Sequence, residues 1–164
     1  CDVGGSGANL SIHIAKNNDH IKSTSFDLPP VGPIAKENVE RFGLSDRIVV
    51  ASGDFFVDEL PRADVITMGN ILHDWSVEDK LILIKKAYDA LPEGGAFVVI
   101  ENIIDDERNK NAFGLMMSLN MAIETEQGFD FSASDFNEWA KEAGFRQTRI
   151  MPLTGPTSAV VAIK

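Results

Sequence analysis

The stretch Cys1-Asp2-Val3-Gly4-Gly5-Ser6-Gly7 puts an acid near the end of a short apolar run and three glycines within the next four residues. A strand that runs into glycines and then into a helix lets backbone N–H groups approach a ligand where no side chain intervenes. A glycine-rich turn alone is a weak signal, so its weight depends on the rest of the chain. Ala8, Leu10, Ile12, Ile14 and Ala15 place apolar residues on more than one helical face, as expected of a helix packed on a sheet, and the run stops at Asn17 and Asn18. The pattern then repeats. A strand over 21–26 closes at Asp27-Leu28-Pro29-Pro30, a helix over 31–42 stops at Gly43, and a strand over 47–51 closes at Ser52-Gly53-Asp54.

The strand at 63–69 reads out into Asn70-Ile71-Leu72-His73-Asp74-Trp75. Ser76 with Asp79 forms a capping-box-like start for a helix to Leu91, halted by Pro92-Glu93-Gly94-Gly95. The strand over 96–104 is the most apolar of the chain, as suits a strand covered on both faces, with Glu101 at its outer end. A Met-rich helix over 111–126 follows, then a helix capped by Ser132 or Ser134 and ended by Gly144, then closing strands over 146–152 and 158–163. Five alternations of strand and helix before a two-strand finish define an α/β, doubly wound, Rossmann-like sheet, mostly parallel with an antiparallel strand near the C-terminus. Residues 1–164 form one domain without repeats or linkers.

Composition narrows the partners. A formal net charge of −10 argues against nucleic acid, whose binding is dominated by Lys and Arg. No run approaches the length of a membrane helix, and no Cys/His cluster has zinc spacing, so neither a membrane nor a metal is expected. The single cysteine, Cys1, rules out an internal disulfide framework and points to a reducing, cytoplasmic setting. Only three residues precede the glycines and no initiator Met is present, so a piece of a longer protein with a truncated first strand is expected.

In doubly wound sheets ligands bind beyond the carboxyl ends of the strands. Gly4, Gly5 and Gly7 follow the first strand, Asp27 the second, Asp54 and Phe55 the third, His73 and Asp74 the fourth, and Glu101 ends the fifth. Asp27 lies 20 residues after Gly7, about the spacing at which an acid accepts hydrogen bonds from ribose hydroxyls. A NADP 2′-phosphate would be repelled there. A ligand without phosphates needs no Lys or Arg, and the loops offer none.

At these positions the sequence resembles the class I S-adenosylmethionine-dependent methyltransferases. More narrowly it is similar to the catalytic domain of the small-molecule O-methyltransferases of the caffeic acid, acetylserotonin and polyketide type. The matching stretches are DVGGSG at 2–7, FDLPPV at 26–31, GDFF at 53–56, LHDW at 72–75 and LPEGG at 91–95. The resemblance implies S-adenosylmethionine held by Gly4, Gly5, Gly7, Asp27, Leu28, Asp54 and Phe55. It implies His73 as general base, oriented by Glu101 and Asp130, and an aromatic acceptor beside Met116, Met117 and Asn120. It also implies an N-terminal helical domain in the full-length protein through which a homodimer forms. This chain departs from plant members at Gly69, where they carry Lys, and at Asp130, where they carry Glu.

The chemistry stands beside the resemblance. Methyl transfer from a sulfonium is an in-line displacement that depends on alignment. A phenol ionises near pH 10 and is a poor nucleophile at neutral pH, whereas a histidine near pKa 6.5 is largely neutral and able to take its proton. A carboxylate on the far ring nitrogen fixes the tautomer. Structural roles compete for several residues: Asp74 as a helix N-terminal charge, Trp75 as a packing anchor, Asp54 as a turn residue, the methionines as core. His13 and His20 lie far from the strand ends, and Glu124 and Glu126 read as an exposed acidic face. Two rival functions share the fold. One is a cofactor-binding domain with diverted or lost methyl transfer. The other is a nicotinamide-dependent oxidoreductase, disfavoured by the lack of a full GxGxxG and of a catalytic Tyr/Lys pair.

Overall fold

A computed structural model describes residues 1–164. The strands are β1 (Asp2–Val3), β2 (Ser23–Asp27), β3 (Ile48–Ser52), β4 (Val65–Gly69), β5 (Ala96–Glu101), β6 (Gln147–Pro152) and β7 (Ser158–Ile163). The helices are α1 (Asn9–Asn17), α2 (Gly32–Arg41), α3 (Val77–Ala90), α4 (Ala112–Glu124) and α5 (Ala133–Ala143), with a single 3-10 turn at Leu72–Asp74. They form one seven-stranded sheet in the order β3-β2-β1-β4-β5-β7-β6. Strands β1 to β5 pair in parallel, and β7 runs antiparallel to both β5 and β6. The strand order reverses between β1 and β4, which places the ligand crevice of such a sheet above these two strands.

One expected alternation is missing. Between β3 and β4 there is no helix, only turns and irregular chain. Gly53 and Pro61 bracket the segment and leave too short a run for a helix to nucleate. Strand β1 pairs through only two residues, Asp2 with Ser25 and Thr67, and Val3 with Phe26 and Met68.

The core lies on both faces of β1, β4 and β5. Val3, Ile66, Met68, Phe97 and Val99 pack with Leu83, Ile84 and Ala87 of α3 and with Phe136 and Ala140 of α5. Burying a side chain such as Phe97 stabilises by roughly 1.5–3 kcal/mol. A second cluster joins α1 and α2 to the sheet through Ile12, Ala15, Ala35, Val39 and Ile48. In β5 the residues Phe97, Val99 and Glu101 are buried while Val98 and Ile100 are half-buried, so the strand is covered unequally on its two faces.

Helix caps fix the segments that reach the site. Ser76 Oγ accepts from the Asp79 N–H at 3.1 Å and donates to Asp79 Oδ2 at 2.8 Å. The full reciprocal box forms at Ser132: its Oγ accepts from the Asp135 N–H, and Asp135 Oδ2 accepts from the Ser132 N–H at 2.9 Å. Ser132→Ala is expected to destabilise the protein by about 1 kcal/mol in urea unfolding. The same box anchors the chain immediately after Asp130.

Candidate active site

The loop after β1 is held in uncommon backbone conformations. Gly4, Ser6 and Ala8 have φ of 71°, 48° and 61°, the last two without the freedom of glycine. The N–H groups of Gly4 and Gly5 both donate to the Phe26 carbonyl and that of Ala8 to the Gly5 carbonyl, so protein acceptors hold the turn in this shape. A Cβ on Gly4 would lie 2.2 Å from Ile71 Cδ1, and one on Gly5 2.4 Å from Ser25 Oγ. Gly7 is crowded by Asn38, whose Nδ2 donates to the Gly7 carbonyl at 2.9 Å. Close side-chain neighbours therefore crowd these positions before any ligand arrives, and at Gly4 the positive φ adds to the demand for glycine.

Asp27 ties this loop to β2. Its Oδ2 accepts from the Ser6 N–H at 2.8 Å and its Oδ1 from the Leu28 N–H at 2.7 Å. Each oxygen keeps a lone pair for a further donor. Asp54 Oδ1 accepts from the Phe56 N–H at 2.8 Å, so the turn role expected for this residue is present and occupies one of its oxygens. Phe55, Phe56 and Trp75 meet edge to face, with ring centroids 4.9 Å apart for Phe55 and Phe56 and 4.6 Å for Phe56 and Trp75. Through these contacts the ends of β1, β2, β3 and β4 are joined into one rim.

His73, Glu101 and Asp130 come together beneath it. His73 sits in the 3-10 turn after β4, Glu101 ends β5, and Asp130 lies in the segment held by the Ser132 box. Glu101 Oε1 accepts from the Ile71 and Leu72 N–H groups, each at 3.1 Å, and so locks the turn that carries His73. His73 Nδ1 is 3.5 Å from Glu101 Oε2 and 3.5 Å from Asp130 Oδ1. These separations are long for hydrogen bonds, and Nδ1, Oε2 and both Asp130 oxygens have no closer partner. Catalytic hydrogen bonds are often loose before substrate binds. On the other ring nitrogen, Nε2 is 3.4 Å from Asp74 Oδ1.

Burial and charge oppose each other here. Burial resists an imidazolium at His73, but the adjoining carboxylates of Asp130, Glu101 and Asp74 outweigh it and raise its pKa above the ordinary 6.5. Burial raises Glu101 to about 7, with the His73 charge pulling the other way and Asp130 adding to the rise. His73 and Glu101 therefore titrate in overlapping ranges and influence each other. One imidazole nitrogen and two carboxylate oxygens within 4.8 Å of one another also have the composition of a cation site. The fully buried Lys80 adds a positive charge that acts on Glu101 and Asp130.

The expected acceptor residues divide. Ser118 of α4 faces the site, its Oγ accepting from the Asp130 N–H at 3.1 Å, and Met121 is buried on the same helical face. Met117 and Asn120 are half-buried beside that face, whereas Met116 is 71% exposed and points away from it with Phe113, Leu119 and Ile123. A cavity of about 570 Å³ lies at the opposite end of the sheet, between the starts of β2 and β4 beside the two-residue β1. Its place at the amino ends of the strands makes it a groove in the sheet, not the ligand crevice.

Four residues of the site are not among those expected from the sequence. Phe56, Ile71 and Ser118 carry no signal of their own. Lys80 does: it occupies the position of the stripe Lys80, Leu83, Ile84, Ala87 where helical spacing demands an apolar residue.

A mostly parallel sheet with this strand order, a strained glycine turn after β1, an acid ending β2 and a histidine between two buried acids define an α/β domain whose polar groups gather at the carboxyl ends of its strands. The profile of the O-methyltransferase domain family matches residues 1–146, and the chain belongs to that family. It is 36% identical to the tetracenomycin polyketide synthesis 8-O-methyl transferase TcmO of Streptomyces glaucescens, over 99% of this chain and 48% of that protein. It is 32% identical to an L-tyrosine C(3)-methyltransferase of Streptomyces lavendulae, over 99% and 46%. The structure of PigF of Serratia with SAH superposes with a TM-score of 0.91 at 30% identity, over 99% of this chain and 49% of that one. The chain thus spans about half the length of the curated relatives it matches. No helix is long and apolar enough to cross a membrane.

Proposed function

We propose that this chain is the catalytic part of an S-adenosylmethionine-dependent O-methyltransferase acting on a hydroxyl of a small aromatic or polyketide-like metabolite, with His73 as general base. The observation that carries the proposal is the buried His73 between Glu101 and Asp130, opening at the strand end next to the glycine loop. The residues present fit the cofactor. The glycine loop, which brings bare backbone to the strand end, the remaining lone pairs of Asp27 and the Phe55 ring offer places for an amino acid, a ribose and an adenine respectively. The strand ends are acidic and lack Lys and Arg, which favours a ligand bearing a sulfonium over one bearing phosphates. When bound, S-adenosylmethionine supplies an electrophilic methyl group.

Everything else falls to the chain. Glu101 fixes the His73 turn through two backbone N–H groups. The carboxylates at Nδ1 hold the proton on that nitrogen and leave the lone pair of Nε2, with Asp74 Oδ1 3.4 Å away, to accept one from the acceptor hydroxyl. As the imidazolium forms, Glu101 and Asp130 stabilise it. Met117 and Asn120 line the acceptor side, and the exposed apolar residues of α4 suit cover by the remainder of a full-length homodimer.

The pH dependence follows from the direction of the shift. The base works only when neutral, and its pKa is raised, so kcat/KM is expected to fall on the acidic side with an apparent pKa above 6.5, shared with Glu101 near 7. A pH–rate profile that stays flat down to pH 6 contradicts a histidine base. Transfer of labelled methyl groups from S-adenosylmethionine to phenols, naphthols, amines and aromatic carbon acids, with the full-length protein, tests the reaction itself. Methylation of hydroxyls is expected. Methylation of amines or carbon alone overturns the O-specific reading.

A further inference from the structure

Lys80 of α3 has no solvent exposure at all. A lysine is almost never fully buried without a carboxylate partner, because an uncompensated charge is costly away from water. Yet the hydrogen bond of Lys80 Nζ goes to a backbone carbonyl, that of Trp75, at 2.5 Å. The same ammonium lies 3.7 Å from the centroid of the Phe129 ring and 5.9 Å from that of Phe131. Trp75 follows the His73-Asp74 pair directly, and Phe129 and Phe131 flank Asp130. One side chain therefore grips both segments that meet at the histidine.

We propose that Lys80 is a positioning residue for the proton-accepting histidine: its buried ammonium ties the His73 turn to the Asp130 segment and supplies the positive charge that lets Glu101 and Asp130 stand side by side. The proposal rests on the reading of His73 as the base. Asp130 and Glu101 each place oxygens without hydrogen-bond partners in this interior, so the pair needs a nearby cation to be held together. The electrostatics agree. Burial lowers the Lys80 pKa to about 8, while Glu101, Asp130, Asp74 and Asp79 act to raise it. The charged groups around His73 are Asp74 on its own turn, Glu101 from β5, Asp130 before α5 and Lys80 from α3, with Asp79 of α3 and Glu124 of α4 acting on their edges.

The sign is fixed. Removing a cation makes every neighbouring group, imidazole and carboxylate alike, bind its proton more tightly. In the full-length protein, Lys80→Met is expected to tighten proton binding at His73 about tenfold, followed by NMR of the imidazole, with His73→Gln identifying the signal. kcat is expected to fall about 10- to 100-fold at pH 7 and to recover in part at higher pH, with KM for S-adenosylmethionine unchanged. Lys80→Arg, which keeps the charge, is expected to restore most of the His73 titration. Lys80→Gln keeps a donor for the Trp75 carbonyl without the charge and gives the same answer should the Met variant not fold. A His73 titration unchanged in a folded neutral variant overturns the proposal. So does failure of both neutral variants to fold while Lys80→Arg folds with kcat lowered equally at every pH, which assigns Lys80 to the fold alone. Because the titration needs no turnover, methyl transfer surviving in His73→Gln would remove the base reading without disturbing the measurement on Lys80.

Discussion

His73→Gln is expected to lower kcat for methyl transfer by about 10²- to 10⁴-fold, the usual contribution of a positioned general base, while leaving the affinity for S-adenosylmethionine unchanged. Glutamine keeps much of the shape and hydrogen-bonding capacity of the imidazole but takes no proton near pH 7. Glu101 would remain bonded to the turn through the Ile71 and Leu72 N–H groups. The fold should therefore survive, and calorimetry of cofactor binding beside steady-state kinetics separates chemistry from binding. An acceptor already ionised at the assay pH needs no base, so a nitrated phenol of low pKa should lose far less rate in this variant. Equal losses for both acceptors would mean that His73 positions the substrate without moving its proton.

Asp27→Ala is expected to weaken S-adenosylmethionine binding by roughly 10- to 100-fold, on the order of one or two charge-assisted hydrogen bonds. Two effects combine. The ribose loses its acceptor, and the Ser6 N–H, bound at 2.8 Å to Asp27 Oδ2, loses the partner that fixes the glycine loop. Asp27→Asn separates them, since one amide oxygen can still accept from a single N–H group. A cofactor affinity unchanged by both substitutions would show that neither the ribose contact nor the loop restraint by Asp27 contributes to binding.

The sheet is legible in the sequence because its punctuation is strong. Each parallel strand of β1 to β5 ends in glycine, an acid or both, and α2, α3 and α5 are bounded by residues with a stereochemical reason to stop a helix, such as Gly43 with φ of 66° and Gly144 with φ of 112°. The missing helix between β3 and β4 is harder to foresee, because the alternation extends naturally across a segment whose own glycine and proline forbid it. Helix α4 shows a different limit. It is apolar nearly all round, with Phe113, Leu115, Met116, Met117, Leu119, Met121 and Ile123, so periodicity cannot tell that Met121 turns inward and Met116 outward.

In the site, His73, Glu101 and the glycine loop follow from their places at strand ends, where topology alone brings residues distant in sequence together. Asp130 lies on no strand end and is found only through the family resemblance; the Ser132 capping box is what holds it against His73. Lys80 is easily passed over because a lysine on a helix is ordinarily a solvated side chain. Only its register with Leu83, Ile84 and Ala87 marks it as inward-facing.

Calorimetric titration of the full-length protein with S-adenosylmethionine and S-adenosylhomocysteine, with NADH in parallel, tests the central claim most directly. Saturable one-site binding of both sulfur compounds and no response to NADH is the predicted result. Binding of neither sulfur compound by the folded protein would contradict it, and would leave the glycine loop, Asp27 and the buried histidine as parts of the fold alone.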